Sequence, residues 1–315
     1  MLYGHRIAGE LERWWAAHAG NPNDEEWRKY LVDYANLLTG KFGELTTEHV
    51  NVGADGRKRF GMSKAGGCTR EAGLKLLGYE EEPHSGSTQV TFYLGHLCEL
   101  IAIASLRAAG YEVDGAQEPV RIDPLMASFS DGIIASLDGK PAILSVKSSA
   151  YKMSGQQRGK WLRRGFTELP FEGVRKAQPS WWAQAQAEMH GSGIEQTLVL
   201  AVSKDIVKVF EEDEYMQRNG SLTFYSEVLE YDPVWCAHEL LPIWQQSWDA
   251  VTDGRAPTAF VYNSESHKYN RLPKPADDGA RWGGPNRFAT GTFNPCFGCS
   301  VVAGCKKELA REFRR

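Results

Sequence analysis

Several things are missing from this sequence of 315 residues. No apolar run approaches the roughly 20 residues needed to span a bilayer, and residues 1–10 hold no apolar core of signal-peptide length. Neither a membrane span nor a secretory leader is expected, and the chain reads as cytoplasmic. Neither sign of charge dominates: 36 Lys+Arg against 40 Asp+Glu leave a net charge of -4. A global field of that sign repels phosphate, so nucleic acid could be held only by a local basic patch. Repeats and low-complexity tracts are absent, and a composition of 42% hydrophobic and 24% charged residues excludes disordered and collagen-like classes. Cysteine is sparse, with six in the chain. In a reducing compartment these are metal ligands or buried thiols rather than disulfides.

What is present is an ordinary globular pattern, long enough for one large domain or two modest ones with a full core. Apolar and aromatic residues at spacings of three and four predict helices over 5–19 and 25–39. A Gly-flanked loop around Cys68 leads into a short helix that Gly78 should stop, and a strong apolar helix covers 90–109. Three strand-like runs follow, 111–122, 127–137 and 142–148, the last two joined by the turn sequence Asp138-Gly139-Lys140-Pro141. A helix over 180–191 and a strand over 196–202 complete an order of helix, three strands, helix, strand. Residues 206–231 suggest two more strands, and 233–252 a Trp-rich helix.

Cys296, Cys299 and Cys305 stand close together, with Gly298 and Gly304 allowing tight turns between them. Three thiolates leave a tetrahedral metal site or a cubane cluster one ligand short. Cys98 and Cys236 lie in apolar runs and read as core thiols, whereas Cys68 sits beside Arg70 in a loop where a ligand is plausible. Spacing alone does not choose between zinc and iron–sulfur.

A second constellation lies on the strands. Period-two alternation puts Ser145 and Lys147 on one face of their strand and Val146 on the other, with Asp131 on the neighbouring strand. An Asp and a Lys so placed, with an acid two residues before the Lys, form a metal-dependent hydrolase site: the acids hold a hard cation and the Lys orients water. Here the expected acid is Ser145. On the flanking helices, His96 and Glu99 are one turn apart, as are Gln184 and Glu188. Polar pairs inside apolar helices need partners when buried.

Taken in order, Gly95-His96-x-x-Glu99, Asp131, Ser145-x-Lys147 and Gln184 resemble the motif set of the PD-(D/E)XK nuclease superfamily, RecB-like branch. Trp181-Trp182-Ala183-Gln184-Ala185-Gln186 is similar to the Gln motif of lambda-type phage exonucleases. Cys68 followed far downstream by Cys296, Cys299 and Cys305 resembles the iron–sulfur subclass, which includes CRISPR-adaptation exonucleases and the AddB nuclease domain. The resemblance covers roughly residues 61–204 and 290–306. It implies an α/β, restriction-endonuclease-like core with N-terminal helices and a C-terminal cysteine segment. The chain would then divide into an N-terminal helical region (1–60), a nuclease core (61–205), a strand-and-helix extension (206–255) and an iron–sulfur segment (256–315).

The implied function is metal-dependent DNA hydrolysis, exonucleolytic and of recombination or phage type. His96, Asp131 and the Val146 carbonyl would bind Mg²⁺ or Mn²⁺, Lys147 would position water, and Gln184 would support Lys147 or the scissile phosphate. Glu99 would be a partner for His96 or Lys147, and the four cysteines would hold a structural 4Fe–4S cluster. DNA is the implied partner, with recombination or CRISPR-adaptation proteins beside it and no membrane. Ser145 departs from the family, which has Glu or Asp there. Three accounts stay open: an acid has migrated, with Glu188 or Glu99 as candidates; the serine is a deliberate substitution; or the chain is a natural pseudonuclease that binds DNA or a partner without cutting.

The local basic patch that composition demands lies at residues 151–179. Lys152, Arg158, Lys160, Arg163, Arg164, Arg175 and Lys176 outnumber Glu168 and Glu172, and Trp161 stands among them. Cations interleaved with aromatics suit phosphate contact and base stacking. The segment leaves the Lys147 strand and enters the Gln184 helix, so it should emerge beside the chemistry.

Overall fold

In the computed structural model, which describes residues 6–45, 51–81, 83, 85–114, 119–149, 166–203, 221, 223–263, 266–271, 301 and 305, the amphipathic N-terminal segments form α1 (Ile7–His18) and α2 (Glu25–Leu45). Asp24 starts the second helix by accepting the Trp27 N–H at 3.0 Å. Trp15, Trp27 and Tyr30 lock the two together, with ring centroids 5.0 to 5.4 Å apart. A short strand β1 (Phe60–Gly61) precedes α3 (Thr69–Leu76), and Gly78, at φ +78, stops the chain from continuing as helix. The long helix α4 (Gly86–Ala108) is capped by the Ser85 side chain.

Five strands come next: β2 (Val113–Asp114), β3 (Pro119–Ile122), β4 (Met126–Phe129), β5 (Gly132–Leu137) and β6 (Lys140–Ser149). Helices α5 (Leu169–Ala177) and α6 (Pro179–Ser192) lead to β7 (Gln196–Ser203) and β8 (Phe224–Glu230). A wide helical turn enters α7 (Leu241–Thr252), and β9 (Phe260–Asn263) pairs with β10 (Lys268–Arg271).

The main sheet runs β2-β5-β6-β7-β8. Among the described strands of this sheet only β6 and β7 run parallel, and α5 and α6 lie in the crossover between them. The fold is thus mixed α/β. Alternation divides the interior into two cores. Ile143, Val199, Ala201 and Tyr225 face one core with Trp182 and Trp244. Leu144, Leu198, Leu200 and Phe224 face the other with Ile7, Leu11 and Ile103. Turn chemistry behaves as read: Leu137 pairs with Lys140 around Asp138 (φ 50) and Gly139 (φ 87), a two-residue hairpin turn.

Two expectations are corrected. The runs 111–122 and 127–137 are not single strands. Each is divided between the main sheet and a smaller sheet of order β1-β4-β3, because the chain turns at Ser130–Asp131 and sends β4 and β5 to different partners. Of the two strands expected in 206–231, β8 is described, and residues 204–220 lie outside the described residues. Helix α4 is long and apolar enough by composition alone to cross a membrane, a test that the core helix of a globular protein also passes. Gln89, His96 and Glu99 interrupt the apolar run, so counting uninterrupted stretches passed over it. Its C-terminal half buries Cys98, Leu100, Ala102, Ile103 and Leu106, while Val90, Tyr93 and Leu94 toward its start are exposed.

Candidate active site

The parity of β6 builds the site. Ile143, Ser145 and Lys147 share the face that looks toward α6, and Ser145 is buried. Asp131 stands where the chain passes from β4 to β5, and its Oδ2 accepts the Val146 N–H at 2.7 Å. The sequence reading used the carbonyl of Val146; the structure adds that its amide fixes Asp131. From α6, Gln184 Oε1 accepts a hydrogen bond from Lys147 Nζ at 3.1 Å. One turn on, Glu188 Oε1 accepts from Gln184 Nε2 at 2.8 Å and from Ser128 Oγ at 3.1 Å. Asp131 and Lys147 therefore converge with Gln184, Glu188 and a serine on β4 that sequence reasoning passed over. Ser128 carried no signal of its own, since an isolated serine in an apolar strand is common.

The electrostatics follow from burial. Desolvation pushes the Asp131 carboxyl up to about 7; Lys147 and the Val146 amide oppose this, while the charges of Glu99 and Glu188 reinforce it. Burial likewise pushes Glu188 above the ordinary carboxylate range against the pull of Lys147, Gln184 and Ser128. Beside Asp131, the Ser130 hydroxyl is buried with no hydrogen-bond partner among the described residues.

His96 and Glu99 lie on one face of α4, with His96 Nδ1 3.5 Å from Glu99 Oε2. The other oxygen, Oε1, accepts from Lys41 Nζ at 2.9 Å. Both members of this ion pair are nearly enclosed, their side chains 8% and 14% exposed. Burial raises the Glu99 carboxyl, but His96 and Lys41 together hold it below its usual range. Sequence reasoning missed Lys41 because it lies 58 residues from Glu99 on a helix that no motif covered.

Cys68 is the N-cap residue of α3 and is buried, with no side-chain capping bond. Val301 is buried, and its carbonyl accepts the Cys305 N–H at 2.9 Å. Cys296 and Cys299 lie outside the described residues. Cys98 and Cys236 are buried in opposite cores, and burial pushes the Cys236 thiol up to about 12. Among the described residues, no group of three His, Cys, Asp or Glu side chains is close enough to hold a metal ion.

Lys152, Arg158, Lys160, Trp161, Arg163 and Arg164 lie outside the described residues. Of the remaining basic candidates, Arg175 stacks over Trp182 at 4.2 Å and lies 3.9 Å from Asp232. Lys176 pairs with Glu172 at 3.0 Å. Both contacts tie these cations to the surface of α5 and its neighbours.

The sequence matches no known family profile and no curated protein. Among solved structures, it is similar to an alkaline exonuclease from Laribacter hongkongensis, at 10% identity and a TM-score of 0.37 over 62% of this chain and 86% of that one. The same exonuclease in complex with dAMP gives 13% identity and a TM-score of 0.35 over 62% and 90%. A phage-related exonuclease from Haemophilus somnus gives 15% identity and a TM-score of 0.36 over 59% and 78%. Likenesses this distant assign no chemistry to the present chain; the residues of the site must do so.

Proposed function

We propose that the protein is a metal-dependent deoxyribonuclease of the PD-(D/E)XK type, in which Glu188 on α6 supplies the carboxylate that Ser145 lacks on β6. One observation carries this: Lys147, Gln184 and Glu188 form a continuous hydrogen-bonded line beside Asp131, on the face of the sheet that also carries Ser145. Of the three accounts of Ser145, migration of the acid has a specific residue behind it. Glu188 is buried and within electrostatic reach of both Asp131 and Lys147.

The donor set fits a hard divalent ion by charge. Two carboxyls whose proton affinity desolvation raises, that of Asp131 further still by the charge of Glu188, are what a cation would relieve. The set is not a closed cage, but Mg²⁺ commonly takes only one or two carboxylates and completes its shell with water and phosphate. Asp131, Glu188 and the Val146 carbonyl would hold the ion; His96, which is not grouped with both carboxylates in the described residues, would have to be drawn in by the ion to serve as a further ligand. When bound, it would polarise the scissile phosphate and make water a better nucleophile. Lys147, held by Gln184, would orient that water and balance negative charge developing on the phosphate. Glu188 would also steady Gln184, coupling the cation-binding side of the site to the lysine side. DNA would reach the site along the basic residues Lys152, Arg158, Lys160, Arg163 and Arg164 with Trp161.

The same proposal includes a structural 4Fe–4S cluster on Cys68, Cys296, Cys299 and Cys305. Its support is the position of Cys68 at a helix N-terminus, which favours a thiolate, and the close spacing of the three downstream cysteines. Anaerobically purified protein should be brown, absorb near 400 nm and contain iron and acid-labile sulfide. Zinc instead of iron would remove the cluster from the account.

Cleavage of end-labelled DNA with Mn²⁺ tests the catalytic claim. Wild-type protein should cut, while Lys147→Ala and Glu188→Gln should each lose at least about 100-fold of the rate. Wild-type activity that survives Glu188→Gln refutes migration. Binding without any cutting favours the silent, DNA-binding alternative.

A further inference from the structure

Residues 6–45 have no part in the motifs, yet α2 delivers a buried cation to the site. Lys41 donates to Glu99 Oε1 at 2.9 Å, and the second oxygen of the same carboxylate faces His96 Nδ1 at 3.5 Å. Burying a lysine and a glutamate is costly unless their geometry is well held, so the arrangement asks for a reason beyond surface pairing. We propose that Lys41 is a positioning residue of the phosphodiester site, anchoring Glu99 so that its free edge holds the His96 ring on the site side of α4. The inference rests on the nuclease reading above and deepens it.

The geometry gives each group one task. Glu99 cannot turn both oxygens to His96 while Lys41 holds one of them. His96 Nδ1, engaged by the carboxylate, leaves Nε2 as the nitrogen directed away from Glu99. A carboxylate behind a histidine in this way fixes the ring's orientation and tautomer and strengthens it as a ligand. The N-terminal helices, which lack any motif, thereby become part of the working site.

Positioning and simple charge balance predict opposite signs. Were Lys41 only a counter-charge, Lys41→Met would leave an unpaired Glu99 near Asp131 and the variant would bind Mn²⁺ more tightly. If Lys41 positions, Lys41→Met weakens Mn²⁺ binding by about 10- to 100-fold, the usual effect of losing such a supporting partner, and Lys41→Arg recovers most of it. Calorimetric titration with Mn²⁺ alone, without DNA, reads this directly. Because Lys41→Met strands a buried carboxylate, the doubly neutral K41M/E99Q is measured beside it. Its melting temperature should return toward wild type while Mn²⁺ binding stays weak.

Unchanged or tighter binding in Lys41→Met, or recovery of both stability and binding in K41M/E99Q, overturns the role of Lys41. Asp131→Asn serves as the control. If wild-type protein binds no Mn²⁺, or binds it equally well after Asp131→Asn, the site reading itself fails and Lys41 with it. If binding is lost in Asp131→Asn but unmoved in Lys41→Met, only the Lys41 proposal fails.

Discussion

Removing the charge of Asp131 should make the protein more stable at neutral pH, even as it removes the chemistry. Moving this carboxyl from 3.8 to about 7 means the folded protein holds the proton about a thousandfold more tightly than the unfolded chain, equivalent to about 4 kcal/mol. The sign follows from linkage. Below about pH 4 both states are protonated and the site costs nothing. As pH rises toward 7 the unfolded chain releases its proton first, and folding stability falls; above 7 the full penalty stands. The figure is a ceiling, since Asp131 is partly exposed and solvent screens it. Asparagine keeps an oxygen for the Val146 N–H, so little else changes. Asp131→Asn is expected to gain about 1–3 kcal/mol at pH 7.5 and about nothing at pH 4. Urea unfolding in EDTA at pH 4, 5.5 and 7.5 measures this, and Mn²⁺ should reverse the ranking by stabilising wild type alone. A variant less stable than wild type at pH 7.5, or a gain of equal size at every pH, would refute the electrostatic account of the site.

Other perturbations separate the parts of the argument. Ser145→Glu adds a carboxylate to a buried site that already contains Glu188, so it should cost roughly 3 kcal/mol and bring no gain in cleavage; S145E/E188Q, with one acid moved back to the strand, should cut within about tenfold of wild type. If S145E alone cuts faster than wild type, Glu188 is not the migrated acid. Replacing Arg163 and Arg164 by alanine should weaken DNA binding and reduce the slope of log affinity against log salt by about 2; an unchanged slope removes that segment from the path of DNA. A Cβ on residue 66 would lie 2.4 Å from the Ser180 backbone at the start of α6. Gly66→Ala should therefore cost about 1–3 kcal/mol in thermal melts and slow cleavage by shifting Gln184. A wild-type melting temperature would show that the loop yields freely.

Legibility was greatest where chemistry is local. Asp138-Gly139 specified its turn because few residues tolerate the positive φ that a two-residue hairpin needs. The alternation of Ser145, Val146 and Lys147 assigned faces correctly, since a strand offers only two. The pairs His96 with Glu99 and Gln184 with Glu188 needed only helical spacing. Reading failed at 127–137, where Met126–Phe129 and Gly132–Leu137 look alike as apolar strand yet pair in different sheets. Strand propensity does not encode a partner.

The sequence by itself thus determined most of the helices (though not α5, Leu169–Ala177), the central strands, their faces and the residue types available for chemistry, because these depend on neighbours within a few positions. Tertiary structure alone decided that Ser128 on β4 meets Glu188, that Asp131 rests on the Val146 amide, and that Lys41 reaches Glu99. It also decided that α4, apolar enough for a membrane, buries its C-terminal half against the sheet. Such contacts join residues from 15 to 60 positions apart. They arise from packing a particular set of elements, and desolvation in that packing gives Asp131 and Glu188 their raised proton affinity.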